Sequence, residues 1–134
     1  MPFLIPLVAA IAPFLIWPIE IFFPYPHVIE EMTKALLIFF LLKSTDNRQK
    51  IYGAILVGFL FAFSENVLYM LNIFSAGNPQ ELILRFVLTM PMHIVTSVVI
   101  LSLSLIDKRL IFLGIILAGF IHYFFNIYVS SLVV

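Results

Sequence analysis

The sequence contains no cysteine, which excludes disulfides and thiolate ligands and leaves the redox compartment undetermined. Any bound metal therefore has to use His, Glu, Asp or Asn. Charge is scarce as well: Asp, Glu, Lys and Arg make up 10% of the chain, against about a quarter of an ordinary soluble domain. Seven basic residues balance seven acidic ones. No Lys/Arg cluster is long enough to follow a phosphate backbone, so nucleic acid is not expected as a partner. No basic stretch precedes the apolar N-terminus MPFLIPLVAAIAPFLIWPIEIFF, and its apolar stretch exceeds the h-region of a signal peptide; it reads as a retained helix. Also missing are an HExxH helix, a Ser/His/Asp arrangement and a pair of intramembrane Asp residues. Zincin-like, serine and aspartyl chemistries lose their usual signatures with them.

What is present is apolar. The 134 residues are 63% hydrophobic, with a mean hydropathy of +1.18, a composition that belongs to integral membrane proteins. Fifteen Phe, together with Trp17 and several Tyr, suit lipid-facing surfaces and interfacial belts. Apolar runs separated by short polar stretches predict about five spans, at residues 2–23, 27–42, 51–74, 82–105 and 110–134. Each is near the ~20 residues needed to cross ~30 Å of hydrocarbon. Pro6, Pro13 and Pro18 predict a kinked first helix. The second span is the weakest, because Glu30, Glu31, Thr33 and Lys34 fill its first turns. Short loops at 43–50, 75–81 and 107–109 imply antiparallel neighbours. The expected fold is therefore an all-α polytopic membrane helical bundle, one domain over residues 1–134.

Lys43, Arg48 and Lys50 mark one loop and Lys108 and Arg109 another, so the positive-inside rule puts both in the cytoplasm. The N-terminus would then be cytoplasmic and the C-terminus outside. At ~1.5 Å per residue, Glu65 lies about 21 Å up its helix, His93 about 16 Å down and His122 about 18 Å up, so the three share a layer near the midplane. Glu30 and Glu31 are expected nearer the outer face.

Ionisable residues at that depth cost at least a few kcal/mol and usually mark function. Glu30 and Lys34 stand at i,i+4 in the favourable orientation for a helical ion pair. Neighbouring residues point about 100° apart on a helix, so one Glu of the pair can serve as base while the other pairs with Lys34 or Arg85. Glu65 shares a face with Tyr69 and has apolar sequence on both sides, so it has to be neutralised, paired or bound to a cation. Arg85, Thr89, His93 and Ser97 recur every four residues as a polar stripe, with Pro91 opening the helix beside His93. Asn126 lies one turn above His122 and is expected to orient its ring. Glu20 and His27 read as interfacial. The bland alternatives are an acidic helix start for Glu30-Glu31, a structural Glu65–Arg85 ion pair, and satisfied core histidines.

Four motifs in this order resemble the PrsW family of intramembrane proteases, related to the CAAX-protease and bacteriocin-processing superfamily: Glu30-Glu31 with Lys34; Phe63-Ser64-Glu65-Asn66 and Tyr69; Arg85 with Thr89 and Pro91-Met92-His93; and His122 with Asn126. The resemblance covers about residues 28–127. It implies a membrane-embedded peptidase of metallopeptidase class, acting on a membrane-anchored protein or peptide in a prokaryotic cell membrane. On that reading Glu65, His93 and His122 would hold Zn²⁺ or a similar divalent metal. Glu31, or else Glu30, would be the general base, and Arg85 and Asn66 would stabilise the oxyanion. Lys34, Tyr69 and Asn126 would support them. A metal-free mechanism, in which the Glu pair activates water directly, stays open, as does a homo-oligomer. The superfamily has Arg where Lys34 stands and His near Glu65-Asn66. Rival readings are a proton- or ion-coupled transporter and a non-catalytic membrane partner.

Overall fold

The computed structural model describes residues 4–73 and 79–132. The described residues fold into α1 (Leu4–Glu20), α2 (Pro26–Leu41), α3 (Asn47–Ile73) and α4 (Pro79–Ile106). A single 3₁₀ turn (Lys108–Leu110) leads into α5 (Ile111–Leu132), and no strand occurs among them. The bundle expected from the apolar runs is the one observed. Part of the loop expected at 75–81 lies outside the described residues.

Among the described residues, three helices are long and apolar enough to cross a bilayer: 47–71, 83–106 and 108–132. α1 is a shorter apolar helix of 17 residues, and α2 has 16. At ~1.5 Å per residue each is about 25 Å long, short of the ~30 Å of hydrocarbon. α2 therefore begins inside the bundle's layer, and its first turns lie level with the middles of α4 and α5. Pro26 opens it, at a position where the missing N–H has no helical partner to lose.

Burial differs from that of a soluble protein. An apolar cluster around Ala35, Ile38, Leu41, Val57 and Ile100 fills part of the interior, but Glu30, Glu31, Lys34, Asn66, Thr89, His93, Thr96, Ser97 and His122 are buried as well, while Phe22, Phe112, Phe120 and Phe124 are exposed. Apolar side chains on the outside suit a lipid solvent, and buried polar residues then need partners inside the bundle.

Close helix approach depends on two glycines. A Cβ at Gly58 would lie 2.5 Å from the His93 carbonyl oxygen and 2.7 Å from Ile94 Cα; one at Gly114 would lie 2.9 Å from Ile100 Cα. Small residues at such crossings let backbones meet. α3 and α4 make the most extensive helix pair, and Gly58 brings the His93 backbone against α3. Ser64 Oγ donates to the Ala10 carbonyl at 2.6 Å, tying α1 to α3. α1 runs on as a helix through Pro13 and Pro18, and α4 through Pro91. Pro91 is exposed, on the side of α4 away from His93.

Candidate active site

Lys34 is the hub of the buried cluster. Its ammonium donates to Glu31 Oε1 at 2.7 Å and to Thr96 Oγ1 at 2.5 Å, and it meets His93 Nδ1 at 3.2 Å. Three protons thus meet three acceptors, linking α2 to α4. Thr96 passes its own proton back to the His93 carbonyl. The Phe61 ring stacks on His93 with centroids 5.5 Å apart and lies 5.8 Å from Lys34 Nζ, closing the cluster from α3.

The partner of Lys34 differs from the expected one. Glu31, at i,i+3, makes the ion pair, rather than Glu30 at i,i+4. Glu31 Oε1 also receives His122 Nδ1 at 2.8 Å. A carboxylate only accepts, so His122 carries its proton on Nδ1 and presents Nε2 as a lone pair. Glu31 therefore orients His122, the task expected of Asn126, which is exposed. Glu30 is the member of the pair left open. It is buried, its Oε2 makes no hydrogen bond, and it stands 3.5 Å from His122 Nδ1.

Glu65 comes from α3 to the opposite edge of His93, with Oε2 2.6 Å from Nε2. The approach is close but misaligned, so neither atom has a hydrogen bond. The two imidazoles stand edge to face, with centroids 4.9 Å apart. Arg85 stacks over Tyr69, its Cζ 4.8 Å from the ring. Asn66 is buried with neither side-chain polar atom bonded, and Ser97 Oγ is likewise unbonded.

Two residues read as interfacial prove to be close by. Glu20 lines a cavity of about 200 Å³ together with Glu30, Glu65 and Tyr69. His27 lies 5.7 Å from His122, ring to ring, and lines a groove of about 400 Å³ between α2 and α5. Thr96 also belongs to the cluster, outside the four-residue stripe of α4; it sits three residues after His93, which is neighbour spacing on a helix. For Glu20 and His27, hydropathy had no means of showing that α2 starts within the layer.

A divalent cation fits these residues. Ligand atoms of Glu30, His93 and His122, all buried, lie within 4.8 Å of one another. Glu65, the carboxylate expected in that set, contacts His93 from outside it. Four carboxylates (Glu20, Glu30, Glu31 and Glu65) face two basic side chains (Lys34 and Arg85). Four minus two leaves two formal negative charges, which one divalent ion or two protons neutralise. Glu30 and His122 suit such an ion as they stand, His122 through a carboxylate–imidazole pair of the kind that supports metal ligands. For His93, the Lys34 contact is the longest of that ammonium's three, and it has to open before Nε2 is free of its proton.

Orphaned carboxylate and imidazole atoms held inside an apolar helical bundle mark a candidate functional site of a membrane protein. The model of the PrsW family of intramembrane metalloproteases matches residues 14–134; the chain belongs to that family. It is a PrsW-like protease and an integral membrane protein, which favours peptide hydrolysis over ion movement. No curated protein and no solved structure matches the chain.

Proposed function

We propose that the protein hydrolyses a peptide bond of a membrane-anchored protein or peptide, with Glu30, His93 and His122 as the ligand set for a divalent cation and Glu65 as general base. The convergence of those three ligand atoms within 4.8 Å carries the reading. It gives Glu65 the base role expected of Glu31 or else Glu30, and gives Glu30 the ligand role expected of Glu65. This assignment is favoured because Glu65 lines the cavity and its Oε2 has no hydrogen bond although it lies 2.6 Å from His93 Nε2. The cation, when bound, supplies Lewis acidity that makes water nucleophilic near neutral pH and polarises the scissile carbonyl.

The chain's own residues account for the remaining steps. Glu65 accepts a proton from water as its oxygen adds to the carbonyl carbon, and returns it to the leaving nitrogen as the C–N bond breaks. Asn66, next in sequence and buried with its amide unbonded, is the donor available to the oxyanion. Lys34 and Glu31 hold the two imidazoles in place and leave the chemistry to others. Tyr69, which lines the cavity, carries Arg85 stacked on its ring.

The basic residues near the start of α3 and in the 3₁₀ turn support a cytoplasmic placing of that end. The start of α2, and with it the site, then faces the outer half of the bilayer.

The test is cleavage of a single-span reporter by purified protein in liposomes, with metal analysis of the same preparation. Stoichiometric Zn²⁺ that falls in Glu30→Gln and persists in Glu65→Gln, with cleavage lost in both, supports the assignment. Full cleavage by Glu65→Gln sinks it.

A further inference from the structure

Glu20, the last residue of α1, plays no part in the hydrolytic reading, yet it lines the same cavity as Glu30 and Glu65. Glu20 Oε1, Glu30 Oε2 and Glu65 Oε2 are all buried without a hydrogen bond. Glu30 is only 7% exposed, so an unbonded carboxylate oxygen is held inside a protein wall at considerable desolvation cost. The rest of the lining is apolar and aromatic, with Trp17, Phe61 and Tyr69 among its walls. Arg85 stacks over Tyr69, one of the lining residues. A divalent ion on Glu30, His93 and His122 would draw on Glu30, whereas Glu20 lies outside that set and keeps its carboxylate for the cavity.

We propose that this cavity binds a basic group of the substrate, a Lys or Arg side chain or an α-amine next to the scissile bond, and that Glu20 determines this preference. The word "substrate" rests on the protease reading; binding of an organic cation does not. The lining separates the two kinds of cation. The ligand atoms that cluster within 4.8 Å belong to Glu30, His93 and His122, and Glu20 is not among them. An inorganic ion takes oxygen or nitrogen ligands on all sides. A long basic side chain instead lays an aliphatic stem along apolar walls with its charged head on carboxylates, and aromatic faces attract that head further. Because Glu30 borders both the cavity and the cation set, the bound basic group would lie beside the bond being cut. A transmembrane segment with a Lys or Arg just inside its outer boundary presents such a group at this depth.

Trp17 is the single tryptophan and lines the cavity, so its emission reports on what enters. Detergent-solubilised protein is titrated with octylguanidinium and, separately, with neutral octanamide. A saturable change in Trp17 emission with octylguanidinium only, at least tenfold weaker in Glu20→Gln and restored towards wild type in Glu20→Asp, is the expected result. Circular dichroism and gel filtration verify that each variant is folded. An equal response to octanamide, an unchanged affinity in folded Glu20→Gln, or the same Glu20-dependent change on adding Zn²⁺ alone would each overturn the proposal. On the liposome reporter, wild type should prefer Arg to Gln beside the scissile bond by at least tenfold, a preference lost in Glu20→Gln while cleavage of the Gln reporter persists. Absence of all cleavage would count against the protease reading alone, since the titration is independent of it.

Discussion

Lys34 Nζ and His93 Nδ1 meet 3.2 Å apart across the α2–α4 contact, with Glu31 and Thr96 taking the ammonium's other protons. Lys34 and Glu31 are both fully buried. Removing one partner of a buried pair typically costs about 3–5 kcal/mol, because the other charge is left unpaired, whereas replacing both can be neutral. Lys34→Met should therefore lower resistance to unfolding by about that amount, and the Lys34→Met/Glu31→Gln double variant should recover most of it. Unfolding in graded denaturing detergent, run as a double-mutant cycle, checks this. Additive losses would mean that the pair does not act as a unit.

The two glutamates of the pair should behave differently. Glu30→Gln removes a ligand atom from the Glu30, His93 and His122 set and is expected to abolish cleavage. Glu31→Gln weakens the support of His122, an outer position whose loss costs about 10–100-fold in metal affinity or activity. Steady-state cleavage and Zn²⁺ titration of the two variants make the comparison.

Chelation should inactivate the enzyme. Treatment with a membrane-permeant Zn²⁺ chelator is expected to stop cleavage, and added Zn²⁺ to restore it, with little change in fold because the helices are tied by Ser64–Ala10 and the Lys34 hub without an ion. Cleavage that survives complete metal removal would select direct activation of water by carboxylates.

Gly58 and Gly119 offer a paired test of helix approach. A methyl group at Gly58 collides with the His93 backbone, while one at Gly119 meets nothing within 4 Å. Gly58→Ala should cost about 1–3 kcal/mol through overpacking and displace His93, reducing cleavage. Gly119→Ala should leave both properties nearly unchanged, as measured by unfolding and turnover.

Asn126 was expected to steer His122, yet it is exposed and Glu31 is bonded to that ring. Asn126→Ala should change stability by no more than about 0.5 kcal/mol, as for surface positions generally, with turnover within about twofold. A loss comparable with that of Glu31→Gln would place Asn126 in the site after all.

The sequence by itself determined the solvent and the architecture. Apolar runs of spanning length can satisfy their backbones only as helices in a bilayer, and charge inside such runs singled out Glu30, Glu31, Glu65, His93 and His122 as candidates, which the structure shows gathered in one buried cluster. Helical spacing also placed Lys34 within reach of the glutamate pair. Which glutamate it meets was beyond that spacing, because i,i+3 and i,i+4 are both neighbours on a helix; His93 and Thr96 of α4 hold the Lys34 side chain and His122 of α5 holds Glu31, so those two meet and Glu30 is left open. Depth counting sets Glu30 and Glu31 towards the outer face, because it starts the 27–42 span at the boundary of the layer. Only the tertiary structure sets this helix of 16 residues deeper, with Glu31 bonded to His122 in the middle of α5. That short helix brings both glutamates level with His122, and with them Glu20 and His27, whose neighbours come from helices far away in sequence.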